Sequence, residues 1–313
     1  MALHITSASS NPVLDTLTQE FLDRYSGPAK DIDELRGRFH DLQEDCDAPL
    51  ASVHDLNFPR EQYQASGRLM LPLGLAPSPC PILLFYCSSG RKEQGPLNGE
   101  RLCRDLAAGG GVAVLCVDVS EGDFGTRVEV AYSALCGVIE ISRSMGLDPT
   151  RIAVAGDGIG GNIAASLCMM AKDRSGPVIL LQILFNPALS DKFDTLSYQS
   201  FAEGPWMTEK LMSQFFDELA PLASVHVPSP KDASIRSLEG MPPTLIMTAE
   251  NDVARDEGEA YARKLMQAGV RVSAVRFLGT IHDFAVLDPL ADTPAALGAV
   301  SYAVAALKSA FAR

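Results

Sequence analysis

The chain has few aromatic and few basic side chains. It contains one tryptophan in 313 residues, aromatic residues make up 7%, and there are 26 lysines and arginines against 39 aspartates and glutamates. The formal charge of −13 repels phosphate backbones and anionic lipid, and no cluster of lysine and arginine compensates for it. We therefore expect no nucleic acid and no membrane surface as a partner, which leaves small molecules.

Long apolar runs and paired cysteines are also missing. A strongly apolar stretch such as residues 178–185 is far shorter than the roughly 20 residues of a membrane helix. The first twenty residues lack the basic start and unbroken apolar core of a signal peptide. The seven cysteines are scattered and never form C-x-x-C, which is typical of reduced thiols in a cytoplasm. We expect a cytoplasmic protein without a membrane span.

What the sequence does contain is an alternation of strand-like and helix-like segments, with 47% apolar residues. Helical spacing of apolar residues predicts helices within the first fifty residues. Strands are predicted at residues 66–73, 81–86, 111–119, 151–156, 177–185, 242–250 and 270–277, with helices between most of them at 98–108, 127–145, 162–171 and 257–268. This alternation predicts an α/β fold with a mostly parallel sheet and helices on both faces.

One insertion interrupts the alternation. Almost sixty residues separate the strand ending near Phe185 from the one beginning near Thr244, and they contain a helical pattern at 209–219. Together with the N-terminal helices, the insertion could cover the carboxyl ends of the strands, where such sheets bind ligands. We predict N-terminal cap helices at 1–50, core at 51–188, a cap insertion at 189–240 and core again at 241–313.

A glycine-rich turn joins a strand to a helix at residues 156–161, which read GDGIGG. This is the context of a nucleophile elbow, G-x-S-x-G, although its central residue here is Gly158. Dinucleotide binding is the rival interpretation, but that motif belongs to the first βα unit of a sheet. Asp252 and His282 follow two successive late strands, in the chain order nucleophile, acid, histidine of α/β hydrolases.

With these residues, the chain resembles the hormone-sensitive-lipase-like carboxylesterases over nearly its whole length. The resemblance is carried by GDGIGGNIAASL, SYQSFAEGPWMTEKLM, GMPPTLIMTAENDVARDEGEAYARKLMQAGV and GTIHDF. It implies an eight-stranded, mostly parallel α/β-hydrolase sheet with a helical cap, and it leaves a homodimer open. Gly158 falls on the family's serine position, and residues 87–90, Cys-Ser-Ser-Gly, replace its H-G-G-G oxyanion loop.

Glycine cannot act as a nucleophile, so the family's acyl-enzyme route is not available. We therefore predict a non-hydrolytic reaction, such as dehydration, elimination, isomerisation or cyclisation of a small apolar biosynthetic metabolite. His282 would be the general acid/base and Asp252 its orienter, and backbone amides of Ser88, Ser89, Gly90 and Ile159 would stabilise an anion. The alternatives are a ligand-binding pseudoenzyme, and a carboxylesterase inactivated at position 158 or using a relocated nucleophile.

Further residues have auxiliary roles in this hypothesis. Cys87 is the candidate for a relocated nucleophile, although a cysteine at a strand end is more often a small buried hydrophobe. Asp157 could orient a substrate hydroxyl. Candidates for an apolar substrate wall are Tyr198, Phe201, Trp206, Met207 and Phe215. The other histidines lack metal-ligand spacing, so we expect no metal and no cofactor.

Overall fold

The computed structural model of the chain describes residues 12–43, 50–74, 79–88, 97–220, 230 and 233–312. Its centre is an eight-stranded sheet in the order β1-β2-β4-β3-β5-β6-β7-β8. The strands are β1 (Leu50–Arg60), β2 (Tyr63–Pro72), β3 (Cys80–Cys87), β4 (Ala113–Asp118), β5 (Leu147–Asp157), β6 (Leu181–Phe185), β7 (Thr244–Asn251) and β8 (Val272–Ile281). From β4 onward in this order all pairings are parallel, whereas β2 is antiparallel to both β1 and β4. The predicted fold class is confirmed.

Helices cover the sheet, because each connection between parallel strands has to cross back along it. Within the described residues they are α1 (Thr16–Asp23), α2 (Ile32–Leu42), α3 (Glu100–Gly110), α4 (Phe124–Ile141), α5 (Ile159–Asp173), α6 (Leu196–Phe201), α7 (Glu209–Glu218), α8 (Ile235–Leu238), α9 (Arg255–Gln267) and α10 (Pro294–Phe311). The strands β3 to β7 are almost wholly buried, which explains why their sequences are continuously apolar rather than alternating.

The structure differs from the sequence-based strands in one missed strand and in several strand ends; β5 begins at Leu147 instead of residue 151, and β8 ends at Ile281 instead of residue 277. Strand β1 was not predicted, because its sequence LASVHDLNFPR mixes polar residues and a proline into an edge strand that has one neighbour. Strand β6 begins at Leu181 instead of residue 177, and the preceding Val178 is 71% exposed. The apolar run therefore extends beyond the strand.

Helices α1 and α2 begin at aspartates whose side chains accept hydrogen bonds from the first helical turn, Asp15 for α1 and Asp31 for α2. The backbone N–H of Asp15 also donates to the carbonyl of Gly279 on β8, at 2.8 Å. Arg36 of α2 makes a bidentate ion pair with Glu218 at the end of α7. These contacts hold the N-terminal helices against the sheet and against the predicted insertion; the proposed domain boundaries themselves stay a prediction.

Helix α10 is a long apolar segment that was not among the helices predicted from the sequence. By length and composition alone it could cross a membrane, a criterion that core helices of globular proteins also meet. Its mean hydropathy of 1.3 comes from an alanine-rich sequence, and its buried residues pack against α3 and the sheet. This packing is that of a core helix with one exposed side.

The glycines around the turn between β5 and α5 allow the helix to approach the sheet. A Cβ atom at Gly160 would lie 2.0 Å from the carbonyl oxygen of Tyr86 on β3, and one at Gly156 would lie 2.3 Å from the backbone of Gly160. Backbone atoms of a central strand cannot move aside easily. The close packing at this turn therefore requires glycine at both positions.

We predict that Gly160→Ala lowers the free energy of unfolding by about 1–3 kcal/mol, because the methyl group overlaps a backbone carbonyl. The matched control is Gly37→Ala on the exposed side of α2, where a Cβ meets nothing within 4 Å. That change should raise stability by up to about 1 kcal/mol through helix propensity. Urea denaturation followed by circular dichroism measures both, and equal effects of the two substitutions would refute the packing constraint.

Candidate active site

Asp252 and His282 lie side by side because two neighbouring parallel strands end together. Asn251, the last residue of β7, is paired with Ile281, the last residue of β8. The next residue of each strand enters the site, and His282 Nδ1 lies 2.8 Å from Asp252 Oδ2. The other oxygen, Oδ1, accepts from the N–H of Ala254 at 2.9 Å. Both side chains are buried, so the carboxylate holds the imidazole in one orientation and tautomer.

Gly158 faces the other nitrogen of this imidazole. It joins β5 to α5 with φ +53° and ψ −118°, a strained conformation that glycine adopts at the lowest cost. A Cβ placed on Gly158 would lie 3.4 Å from His282 Nε2 and would meet no other atom of residues 12–43, 50–74, 79–88, 97–220, 230 and 233–312 within 4 Å. Among the elbow glycines 156, 158, 160 and 161, it is the one position where a side chain has room. Ile159 follows as the first helical residue, so its N–H has no carbonyl partner within the helix.

Two more carboxylates lie near His282 Nε2. Asp283 Oδ1 is 3.5 Å away, and its Oδ2 accepts from the indole Nε1 of Trp206 at 3.1 Å. Oxygen atoms of Asp157 and Asp283 and a nitrogen of His282 all lie within 4.8 Å of one another. Asp157 Oδ1 is buried and accepts no hydrogen bond from the part of the chain that the structure describes. The imidazole is thus surrounded by acidic groups on both sides.

These surroundings shift the pKa of two groups. Burial by itself lowers the pKa of His282, but the charges of Asp252, Asp283 and Asp157 outweigh it and raise the pKa to about 10. The pKa of Asp157 is raised well above its ordinary value, first by burial and then by the neighbouring carboxyl of Asp283. The three carboxylates therefore favour the protonated imidazole in the free protein.

A small cavity opens in front of this cluster, lined by residues of the sheet side and of the cap. The sheet side supplies the polar residues and the cap supplies apolar ones. The cap side is formed by Phe39 of α2, Met212 and Phe215 of α7, and Met207. An apolar ligand part would contact these residues, while its reacting group would face Gly158 and His282.

Of the predicted wall residues, Met207 and Phe215 line this cavity, and the other three lie elsewhere. Tyr198 is fully buried against Phe193, and Phe201 packs under the guanidinium of Arg255. Trp206 packs among Phe21, Tyr25 and Phe39 and acts on the site only through its hydrogen bond to Asp283. These three side chains therefore have packing contacts and do not line the cavity.

The loop expected to stabilise an oxyanion is only partly described. Ser88 lines the cavity, whereas Ser89 and Gly90 lie outside the described residues. Cys87 also lines it, but its Sγ lies 2.8 Å from Cys116 Sγ, and burial raises its pKa well above the ordinary value. A thiol held protonated is a poor nucleophile, so this geometry does not favour Cys87 in that role.

Sequence reasoning missed Asp283 and the cap residues Phe39 and Met212. Asp283 directly follows His282 in the sequence. Because both residues come after the end of β8, the prediction of His282 could have been extended to Asp283. Phe39 lies within the first fifty residues, for which the sequence predicted helices and no site residue. Nothing in the sequence indicates that α2 and α7 meet over the cavity, because they are more than 160 residues apart.

Comparison with known proteins finds one matching family and several relatives that are named as esterases. The family described as alpha/beta hydrolase fold, Abhydrolase_3, matches residues 88–286. The carboxylesterase NlhH of Mycobacterium tuberculosis is 28% identical over 315 residues, covering 96% of each chain. A thermostable esterase from Pseudomonas putida superposes with a TM-score of 0.87 at 33% identity, covering 96% of this chain and 98% of that one. A serine-to-alanine mutant of esterase rPPE, solved with (S)-Ac-CPA, gives the same values.

These relatives show that the predicted non-hydrolytic reaction was wrong. They are named as esterases and carboxylesterases, and none of them supports a lyase, a cyclase or a ligand-binding pseudoenzyme. The physical error was to equate a missing serine oxygen with the loss of hydrolysis, although a base, an oxyanion site and water suffice for it. Fold, family match and relatives together show that the chain belongs to the hormone-sensitive-lipase-like α/β-hydrolase family Abhydrolase_3 and is an enzyme of the α/β-hydrolase type.

Proposed function

We propose that this enzyme hydrolyses carboxylic esters by direct attack of a water molecule, with Gly158 at the position where the family has its serine. The observation that carries the proposal is the open space between Gly158 and His282. A Cβ on Gly158 would lie 3.4 Å from Nε2 and would touch no other atom of the described residues, so among these residues the region next to the imidazole has room for an oxygen atom. A water there takes the place of a serine hydroxyl.

The chemistry follows the steps of general base catalysis. His282 Nε2 accepts a proton from the water as its oxygen attacks the ester carbonyl carbon, and Asp252 stabilises the imidazolium that forms. In this proposal the N–H of Ile159, which begins α5, donates to the oxyanion. The tetrahedral intermediate then expels the alcohol, which takes the proton from the imidazolium. No bond to the protein forms at any step.

The cavity indicates which esters fit. Its cap side presents Phe39, Met207, Met212 and Phe215, so apolar acyl or alcohol groups are favoured. The carboxylates near Nε2 would repel an anionic substrate. Neutral esters are therefore the proposed substrates.

We predict that Gly158→Ser increases kcat/KM for p-nitrophenyl butyrate by at least about 100-fold, because it restores a nucleophile beside an intact dyad. The variant should also be labelled covalently by a fluorophosphonate, whereas the native chain should not. Gly158→Ala is the matched control, since it imposes the same φ +53° on a side chain without an oxygen. An equal rise in both variants, or none in either, would contradict the assignment of position 158.

We predict that the His282 imidazole stays protonated through neutral pH and that Asp283→Asn lowers its pKa, since a neighbouring charge that raises it is removed. A base works only when deprotonated, so the neutral form increases as the pH rises through the pKa, and the substitution moves this rise to lower pH. Imidazole NMR shifts, recorded in buffer with EDTA, measure the titration. Asp173→Asn, an exposed site at the end of α5, should leave it unchanged.

A further inference from the structure

Next to the site, β8 has two more residues than the part of β7 with which it pairs. Ala249 is paired with Phe277 and Asn251 with Ile281, so two positions along β7 are matched by four along β8. Extra residues on one strand of a pair form a β-bulge, which bends that strand and changes where its side chains point. This bulge ends directly before His282.

The bulge determines how far along β8 His282 stands. Each residue advances a strand by about 3.3 Å, so the two extra residues account for about 6.6 Å of chain. In a continuous register Thr280, and not His282, would stand opposite Asp252. With the bulge, His282 comes next to Asp252, and its Nδ1 lies 2.8 Å from Asp252 Oδ2. The hydrogen bond between these two residues therefore depends on the bulge.

Two side chains of β7 bond to backbone groups of the bulge, which have left the ladder of the strand. The N–H of Gly279 donates to Glu250 Oε2 at 2.9 Å. The amide nitrogen Nδ2 of Asn251 donates to the carbonyl of Thr280 at 3.1 Å and to the carbonyl of Val13 at 3.1 Å. Asn251 is 4% exposed, so water cannot easily replace these bonds.

The N-terminal segment contacts the same bulge. The N–H of Asp15 donates to the carbonyl of Gly279 at 2.8 Å, and a Cβ on Gly279 would lie 3.1 Å from this nitrogen. Gly279 also has φ +72°, a conformation that glycine adopts at the lowest cost. Both backbone groups of Gly279 and the carbonyl of Thr280 are thus hydrogen-bonded to groups outside β8.

We propose that Glu250 and Asn251 are positioning residues, whose side chains hold the β8 bulge in the shape that sets the His282 imidazole against Asp252. Among the described residues, neither of the two lines the cavity, so they act through the backbone of residues 279–280. The inference rests on the proposed ester hydrolysis, in which His282 is the base. It adds the groups that determine where this base stands.

The first test compares two substitutions of Glu250. Glu250→Gln keeps an acceptor oxygen for the N–H of Gly279, whereas Glu250→Ala removes it. Glu250→Ala should lower kcat for p-nitrophenyl butyrate at least about 10-fold and change KM less than about 2-fold, because the base is misplaced while the cavity stays intact. Glu250→Gln should stay within about 3-fold of the native kcat. An equal loss in both variants, or no loss in either, would overturn the role of Glu250.

The second test removes the amide donors of Asn251. Asn251→Leu has a similar shape without a donor, and it should also lower kcat at least about 10-fold. The matched control is Gln182→Leu, since Gln182 is a buried amide that donates to Thr244 Oγ1 at 2.7 Å near the amino ends of β6 and β7. This control should lower stability and leave kcat unchanged. Circular dichroism checks folding, and the Glu250 variants decide the proposal if Asn251→Leu does not fold.

The ¹⁵N NMR shifts of the His282 imidazole separate this inference from the proposed function. Glu250→Ala and Asn251→Leu should change the Nδ1 shift because the bond to Asp252 is altered, and Glu250→Gln and Gln182→Leu should not. A loss of stability alone does not move this shift in the folded protein. Native shifts in both variants would overturn the positioning role and leave ester hydrolysis in place. Altered shifts, in a native enzyme that shows no hydrolysis, would overturn the proposed function and support the positioning role.

Discussion

The hydrogen bond between Asp252 and His282 is the interaction on which the rest of the site depends. It exists because β7 and β8 are adjacent parallel strands that end at a paired register position, Asn251 with Ile281. Asp252 and His282 therefore lie next to each other at the same edge of the sheet. Burial removes competing water, and the second carboxylate oxygen is held by the backbone of Ala254. The direction in which Nε2 points, toward Gly158, follows from this anchoring.

The elbow opposite the imidazole combines tight packing with one open position. Gly160 and Gly156 allow α5 to pass close to β3 and β5, where any side chain would overlap backbone atoms. Gly158 has no such neighbour. Its lack of a side chain is therefore not required by packing, and the space it leaves is a property of the site. Water would occupy the region that the serine side chain fills in a G-x-S-x-G elbow.

The sequence predicted the parts of the molecule that depend on local pattern. Apolar runs alternating with helices predicted the parallel core, and the positions of Asp252 and His282 after late strands predicted the dyad. Strand β1 was missed because an edge strand needs little apolar sequence. Asp157 and Asp283 are 126 positions apart and meet only because β5 and β8 end at the same edge of the sheet, which no local pattern indicates. The cap side of the cavity, from α2 and α7, depends on tertiary packing in the same way.

Direct attack by water differs from the acyl-enzyme route in one observable, a covalent bond to the protein. The intact mass of the enzyme, recorded by mass spectrometry during steady-state turnover of p-nitrophenyl butyrate, tests this difference most directly. If water attacks the ester, product forms while the protein keeps its unmodified mass. A butyryl adduct that appears and decays at the rate of turnover, on Cys87, Ser88 or any other residue, would contradict the proposal.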